Sequence, residues 1–188
     1  MGLNKPTSGR IELFGKTIST AKDFEEARWR IGLLFQDPDD QLFSPTVIED
    51  VAFGPLNLGK SKPEALKIAR RTLVDLGLEG FEDRMTFKLS GGEKRLVSLA
   101  TVLAMEPEVL LLDEPLTGLD SDTSSKLVEI IRNLDLSYVI ISHDVDFLLS
   151  VTDQICTLTH GQINFEEDSQ IHVHQHVHPH GGHPHSHE

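Results

Sequence analysis

Two short apolar runs constrain the fold of this chain more than any other feature. They are Val109 to Leu112 and Tyr138 to Ile141. Apolar runs of this length, without polar alternation, are typical of strands buried on both faces of a parallel sheet. Between the runs, four apolar residues recur at the spacing of one helix face: Leu127, Ile130, Ile131 and Leu134. Strands that alternate with helices predict an α/β fold.

Local patterns predict further elements ahead of these runs. Apolar and polar residues alternate over residues 10–18, and Gly15-Lys16 suits a turn, so a short β-hairpin is expected there. Ile31 to Phe35 is predicted to be a second strand. The turn-forming residues Asp37 to Asp40 predict a loop after it.

Two helices and a closing hairpin are also predicted. Pro63 to Leu76 carries apolar residues at helical spacing, and Gly77 stands where a C-terminal cap belongs. Ser90 to Glu93 matches a capping box, which predicts the start of a helix that runs to about Ala104. Ile155 to Phe165 is predicted to form a hairpin that turns at His160-Gly161.

Composition limits the classes of function. The 188 residues suffice for one globular domain with a substantial core. No apolar run approaches the ~20 residues of a membrane-spanning helix. The N-terminus has no apolar signal core, and the single cysteine, Cys156, excludes an internal disulfide framework, so both favour the cytoplasm. A net charge of −13 counts against nucleic acid as a partner.

Polar residues follow directly on the first apolar run. Asp113 and Glu114 come after Leu112, and ligands of open α/β sheets bind at the carboxyl ends of the strands. An aspartate there can hold Mg²⁺, and a neighbouring glutamate can orient or deprotonate an attacking water. The alternative is a pair of carboxylates in a solvated loop.

Three other positions suit phosphate chemistry. The small-residue turn Ser90-Gly91-Gly92 exposes backbone N–H groups at a helix N-terminus, although a well-capped helix needs nothing more. His143 follows the second apolar run and can reach a phosphate, or it can be a residue near a helix cap. Gln36 ends the strand before the 37–40 loop, and its amide can touch Mg²⁺ or water, but a lone glutamine indicates little.

In order and spacing, these residues resemble the motifs of ABC ATPases over about residues 1 to 165. The matching motifs are the Q-loop at Gln36, the signature at 89–93, the Walker B segment at 109–115, the D-loop at Leu119-Asp120 and the H-loop at His143. Glu93 departs from the glutamine of many relatives, and little consequence is expected. The resemblance implies a P-loop NTPase fold of the ABC type with a helical subdomain.

The resemblance also implies roles for these residues. Two such domains would clamp ATP head to tail. Asp113, with Gln36, would hold Mg²⁺, and Glu114 would act on the water. His143 and Gln36 would contact the γ-phosphate region. Ser90, Gly91 and Gly92 would meet the γ-phosphate bound on the opposite subunit, and Asp120 would couple the two sites.

One segment matches a phosphate loop formally. Residues 54–61 fit G-x-x-x-x-G-K-[ST], but only three apolar residues precede them, and the family places this loop before the Q-loop. In a true loop, Pro63 would crowd the carbonyl of Gly59. We therefore predict that Ser61 is a helix N-cap and Pro63 an early helical residue.

The genuine loop is expected upstream of residue 1. Leu3 to Ile11 resembles the family stretch that follows the phosphate-loop helix. The resemblance thus implies that the phosphate loop and the leading N-terminal strands are absent from this chain. It also implies that the chain alone binds ATP weakly, hydrolyses little and is marginally stable.

Two further features point to a class of transporter. Residues 35–43 and 46–55 are similar to the ATPases of energy-coupling-factor importers, especially those for cobalt and nickel, and this segment lies where the family contacts its membrane partner. In the tail, eight histidines fall between residues 172 and 187: His172, His174, His176, His178, His180, His183, His185 and His187. Alternate side chains of an extended chain share a face, so neighbouring imidazoles can chelate Ni²⁺, Co²⁺ or Zn²⁺ labilely. A disordered polar tail or an expression remnant is the alternative.

The predicted function is the ATP-hydrolysing, energy-coupling subunit of an importer of divalent metal, at the cytoplasmic face of the membrane. Its partners would be a membrane coupling protein, a second nucleotide-binding subunit and a substrate-capture component. Rivals are a non-catalytic fragment or regulatory partner, and a metal-storing protein or chaperone that acts through the tail. Four regions are predicted: a β/ATPase core at 1–36, a helical signature subdomain at 37–104, a C-terminal core at 105–165 and a disordered tail at 166–188.

Overall fold

The computed structural model describes residues 1–165, in which thirteen strands and helices follow one another. In chain order they are β1 (Ile11–Leu13), β2 (Lys16–Ile18), α1 (Ala21–Arg28), β3 (Ile31–Leu34), α2 (Val47–Asn57), α3 (Lys62–Asp75), α4 (Gly91–Leu103), β4 (Val109–Asp113), α5 (Ser121–Arg132), β5 (Ser137–Ile141), α6 (Val145–Val151), β6 (Cys156–Thr159) and β7 (Gln162–Phe165).

A three-stranded parallel sheet organises the unit Met1–Thr152. The strand order is β3-β4-β5, and Leu112 pairs with Leu34 on one side and Ile140 on the other. This arrangement confirms the α/β fold. Because all three strands run in the same direction, the residues that follow them meet at one edge of the sheet.

The core lies between one face of this sheet and the helices. Leu34, Leu110 and Leu112 are fully or almost fully buried. Gly32 lets α4 come close to β3, since a Cβ at this position would lie 2.3 Å from Val102 Cγ1. Helices α2 and α3 pack on α4 and extend the core away from the sheet.

The opposite face of the sheet is open within the unit Met1–Thr152, which corrects the prediction of two strands buried on both faces. Val109 and Leu111 are half-buried, while Val139 and Ile141 of β5 are 56% and 61% exposed. Their apolar character matches a covered strand, but the described helices pack on the other face. An apolar run therefore indicates the chemistry of a strand and does not show which faces are covered.

The N-terminal hairpin, α3 and α4 are confirmed within one or two residues. The expected loop at 37–40 contains a short 3-10 helix, Pro38–Asp40, whose N-cap Asp37 accepts a hydrogen bond from Asp39 N. Helices α1, α2 and α6 were not predicted. The first two begin with capping boxes, Thr20–Asp23 and Thr46–Glu49, so a local signal was present.

The segment 54–61 does not form a phosphate loop. Gly54 and Pro55 lie inside α2, and Gly59 turns the chain after that helix with φ +83°. Ser61 is the N-cap of α3, and its N–H donates to Glu64 Oε2 at 3.0 Å. The predicted N-cap role of Ser61 and the early helical position of Pro63 are thus confirmed.

A second unit begins at Asp153. Its strands β6 and β7 form an antiparallel hairpin in which Thr159 pairs with Gln162, and His160 and Gly161 make the turn as predicted. None of the helices in residues 1–165 combines the length and apolarity needed to cross a bilayer.

Candidate functional site

The carboxyl edge of the sheet brings four of the predicted site residues to one place. Gln36 follows β3, Asp113 ends β4, and Glu114 comes next in the chain. His143 follows β5. Glu114 N donates to Ile141 O at 2.9 Å, which extends the pairing of β4 with β5 up to the site.

Glu114 and His143 contact each other directly. Glu114 Oε1 lies 2.9 Å from His143 Nδ1 and also accepts the backbone N–H of His143 at 3.1 Å. The imidazole lowers the pKa of the Glu114 carboxyl, and the carboxylate raises the pKa of the His143 ring. The Glu114 side chain is 19% exposed, whereas that of His143 is 82% exposed. The carboxylate is therefore held ionised while the imidazole is open to a ligand.

Two hydroxyl groups hold the other oxygen of Glu114. Thr117 Oγ1 donates to Glu114 Oε2 at 3.2 Å, and Ser142 Oγ donates to the same atom at 3.4 Å. Glu114 also has φ +44°, a left-handed conformation that costs a non-glycine residue about 1–3 kcal/mol. Sequence reasoning missed Thr117 and Ser142, because a lone hydroxyl beside a motif carries no pattern.

Gln36 and Asp113 line a cleft of about 720 Å³ beside this pair. Thr117, which binds Glu114, and Gly91, at the start of α4, line the same cleft. Carboxylate and amide oxygens are the hard donors that Mg²⁺ prefers, so Asp113 and Gln36 fit that ion. The cleft thus joins the possible metal ligands to the carboxylate that can act on water.

The turn Ser90–Gly92, called the signature turn below, opens α4. Ser90 N donates to Glu93 Oε2 at 2.8 Å, and Ser90 Oγ accepts the N–H of Glu93 at 3.3 Å, which confirms the capping box. Glu93 also forms a two-pronged ion pair with Arg84, at 2.8 and 3.2 Å, which lowers the pKa of its carboxyl. Sequence reasoning missed this pair. An amide at position 93 would offer Arg84 only one oxygen.

Asp120 begins α5 as its N-cap. Its carboxylate accepts the N–H groups of Asp122 and Thr123 and the Thr123 hydroxyl, and these bonds to Thr123 lower its pKa most. Thr123 in turn lies against Gly92, so the signature turn and the start of α5 are neighbours. Ser90, Gly91 and Asp120 are all exposed, which leaves them open to a ligand or a second chain.

The predicted metal-binding histidines of the tail, residues 172–187, lie outside the described residues. Within residues 1–165, no group of three or more His, Cys, Asp or Glu side chains is placed to hold a metal ion.

Comparison with known proteins agrees with this geometry. Residues 1–117 match the family model described as ABC transporter. A putative ABC transporter ATP-binding protein of Brucella suis is 49% identical over 159 residues, 85% of this chain and 66% of the relative. The energy-coupling factor transporter ATP-binding protein EcfA of Methanocaldococcus jannaschii is 44% identical over 166 residues, 86% of this chain and 60% of the relative.

Solved structures show the same likeness. CbiO1 from Clostridium perfringens, described as part of the ABC transporter complex cbiONQ, superposes with a TM-score of 0.78 at 37% identity. The match covers 87% of this chain and 67% of that one. The ATP-binding cassette MJ0796, a dimer bound to ADP and Pi, superposes with a TM-score of 0.75 at 28% identity, over 88% of this chain and 75% of that one.

The chain spans 66% of the length of the Brucella suis relative and 60% of that of the Methanocaldococcus jannaschii relative. Three findings agree: the family model, the relatives and the order of motifs along a parallel sheet. The chain belongs to the ATP-binding proteins of the ABC transporter family.

Proposed function

We propose that this chain is the ATP-hydrolysing, energy-coupling subunit of an ABC-type importer whose cargo is a divalent metal ion, cobalt or nickel. The observation that carries the hydrolytic part is the contact between Glu114 and His143, beside Asp113 and Gln36. This set holds a base for water, an imidazole for phosphate and two oxygen donors for Mg²⁺, which are the parts that phosphoryl transfer needs.

Glu114 is the residue that acts on the attacking water. The bond to His143 keeps its carboxylate ionised, and the hydroxyls of Thr117 and Ser142 fix its orientation. An ionised, oriented carboxylate can accept a proton from water, a role that contributes about 10²–10⁴-fold to a rate. The exposed ring of His143 then faces the phosphate that is attacked.

Bound Mg²⁺ would neutralise charge on the phosphate oxygens, and Asp113 and Gln36 would hold it. The described residues include no glycine-rich loop between a strand and a helix. Residues 1–165 would supply the water-activating side of the site.

The signature turn serves the nucleotide of a second ATP-binding subunit. Ser90 and Gly91 are exposed at the N-terminus of a 13-residue helix, whose free N–H groups and dipole favour an anion. Asp120, beside this turn, lies on the same exposed surface region and would couple the two subunits. The dimeric form of MJ0796 supports this arrangement.

The membrane partner docks in a cleft of about 300 Å³ lined by β3, α2 and α4. Phe43 and Phe53 stack edge to face at this cleft, with ring centroids 4.7 Å apart, and both are exposed. Asp50 is 2% exposed, and its Oδ2 has no hydrogen-bond partner among the described residues. Burial raises the pKa of this carboxyl. An apolar segment of the partner would fit the rings, and a donor or cationic group on it would satisfy Asp50 once docking uncovers Oδ2, which solvent does not reach in the unbound chain.

Hydrolysis is tested on the complex that co-purifies with this chain. We expect Glu114→Gln to lower its kcat for Mg-ATP by about 10²-fold or more, because the amide cannot accept a proton. Glu129→Gln makes the same chemical change on an exposed part of α5 and is the matched control. Full activity of the Glu114→Gln complex would show that this chain is a non-catalytic partner. In that case, substitution of Ser90 alone would still abolish turnover.

Docking is tested by co-purification of the membrane partner. Asp50→Asn keeps the acceptor that binds the N–H groups of Phe43 and Ser44 but replaces the free oxygen with a donor. We expect weaker assembly, while Asp75→Asn on the exposed side of α3 leaves assembly intact. Equal assembly of both variants would place the docking surface elsewhere.

The alternating histidines of residues 172–180 support the metal cargo. Substitution of all eight tail histidines by alanine, His183, His185 and His187 included, is expected to abolish Ni²⁺ or Co²⁺ binding in equilibrium dialysis while ATP hydrolysis continues. Radiolabelled metal uptake then distinguishes a tail that assists transport from a tail that stores metal. Uptake that falls but persists supports a transporter aided by the tail, whereas complete loss of uptake with hydrolysis intact supports a metal-storing role.

A further inference from the structure

Arg95 is a buried cation that forms no ion pair in the described part of the chain, although the Asp37 carboxylate is near enough to act on its charge. It lies in the second turn of α4 and is 2% exposed. Its Nη1 donates to Phe35 O at 2.5 Å, and its Nη2 donates to Gln36 O. Its Nε has no partner within residues 1–165. Arg95 also borders the cleft that Gln36 and Asp113 line, but its two side-chain hydrogen bonds go to the backbone carbonyls of Phe35 and Gln36.

Burying an apolar side chain at this position would cost less free energy than burying a guanidinium. Burial lowers the pKa of Arg95, which means that the surroundings disfavour its charge. A buried ion stabilises a protein only where its hydrogen bonds compensate for the lost water. The two carbonyls of Phe35 and Gln36 are that compensation, so the guanidinium is useful chiefly for what it holds in place.

Two further side chains connect the same segments. Lys94 Nζ lies 2.5 Å from Asp39 Oδ1. Gln41 Nε2 donates to Ser98 O and Thr101 Oγ1 at 2.8 Å, while its Oε1 accepts the N–H of Phe35 at 3.2 Å. Residues 35–41 are thus bound to α4 at several points, and among these α4 side chains Arg95 is the one that binds the backbone of Gln36.

The helix carries this connection to the signature turn. Arg95 lies five residues after the N-cap Ser90, and an α-helix of regular hydrogen bonding moves as a rigid element over that length. A displacement of the Gln36 backbone is therefore transmitted to the N-terminus of α4. Gln36 serves the site of this chain, whereas the signature turn serves the nucleotide of the second subunit.

We propose that Arg95 is a positioning residue that makes Gln36 and the signature turn move together, and so links the two nucleotide sites through one chain. The roles of Gln36 and the signature turn rest on the proposed function, but the mechanical link between 35–41 and α4 does not. The two parts are tested separately.

Hydrogen exchange tests the mechanical link on the full chain without nucleotide. Arg95→Met fills the space but loses both bonds to the carbonyls, and Arg95→Lys retains at most part of them. We expect amide exchange in residues 35–41 to become about tenfold faster in Arg95→Met and to be intermediate in Arg95→Lys. Arg71→Met makes the same change at an exposed site on α3 and should leave exchange as it is.

Two results would overturn the proposal. One is unchanged exchange in residues 35–41 of Arg95→Met. The other is equal acceleration across β4 and α5, which would mean general destabilisation rather than a local link. If Arg95→Met does not fold, Arg95→Gln, which can bond one carbonyl, is compared with Arg95→Lys by the same criteria.

A double-mutant cycle tests the functional link in the assembled complex. If Arg95 acts through Gln36, Arg95→Met lowers the kcat for ATP in the parent protein but has no further effect in a Gln36→Ala background. Equal effects in both backgrounds would overturn the link to Gln36. Absence of ATP hydrolysis in the parent complex would instead overturn the proposed function, and the exchange result would stand.

Discussion

Gly92 and Thr123 pack so closely that no Cβ fits at position 92. An ideal Cβ on Gly92 would lie 2.8 Å from Thr123 Oγ1 and 2.9 Å from Thr123 Cγ2. Thr123 is not free to rotate without loss, because its hydroxyl donates to Asp120 Oδ2 at 2.9 Å. The signature turn and the N-cap of α5 are therefore coupled through this contact.

Gly92→Ala is expected to destabilise the chain by about 1–3 kcal/mol, since the added methyl must displace Thr123 or the helix. Denaturant unfolding measures the loss. Gly91→Ala is the matched control, because a Cβ at Gly91 meets nothing within 4 Å. In a Thr123→Ala background the penalty of Gly92→Ala should vanish. A penalty that persists there would show that backbone conformation, not this contact, requires glycine.

Glu93→Gln is expected to lower the free energy of unfolding near neutral pH but to have little effect in acid. Arg84 lowers the pKa of Glu93 in the folded chain, so the stabilisation from the ionised carboxylate is complete above its ordinary pKa of 4.5. It is lost as the pH falls through the lowered folded value. At pH 7 the variant should be less stable by about 1 kcal/mol, and the gap should close in acid.

Thermal unfolding of both proteins between pH 7 and pH 3 checks this prediction, and Glu129→Gln on the exposed face of α5 serves as the control. A gap between parent and Glu93→Gln that is the same at every pH would mean that the Arg84 pair contributes nothing through charge.

Lys60→Ala should leave nucleotide affinity unchanged, and Ser61→Ala should lower stability by about 1 kcal/mol. Ser61 caps α3 through its bonds with Glu64, and Lys60 lies between two helices rather than in a phosphate loop. Titration of the complex with ATP, together with the unfolding midpoint of each variant, checks both statements. A drop in ATP affinity for Lys60→Ala would mean that residues 54–61 do act as a phosphate loop.

The open face of the sheet should bind apolar probes. Val139 and Ile141 expose apolar side chains next to the half-buried Leu111. We expect the double variant Val139→Thr/Ile141→Thr to bind less of an apolar fluorescent dye and to self-associate less in sedimentation experiments. Val74→Thr removes a single exposed valine from α3 and should change neither. Equal dye binding by the parent and the double variant would mean that this face is covered in solution.

Several elements could be predicted because their signals are local. The capping box of Ser90 with Glu93 and that of Ser61 with Glu64 each join residues three apart, so the sequence itself shows both partners. The carboxyl ends of the apolar strands likewise located Asp113, Glu114 and His143. Thr20 with Asp23 and Thr46 with Glu49 form capping boxes of the same kind at the starts of α1 and α2, so these helices also have a local signal in the sequence.

The sequence by itself determined the α/β class, the order of the motifs and the residues that stand at the strand ends, because hydrophobic period and helix caps act over a few neighbouring residues. Only the tertiary structure decided which of these residues touch. Glu114 and His143 are 29 positions apart, and Arg95 reaches carbonyls 59 and 60 positions away. Such bonds depend on how strands and helices pack, and packing also decided that one apolar face of the sheet stays open within the unit Met1–Thr152 while the other is buried.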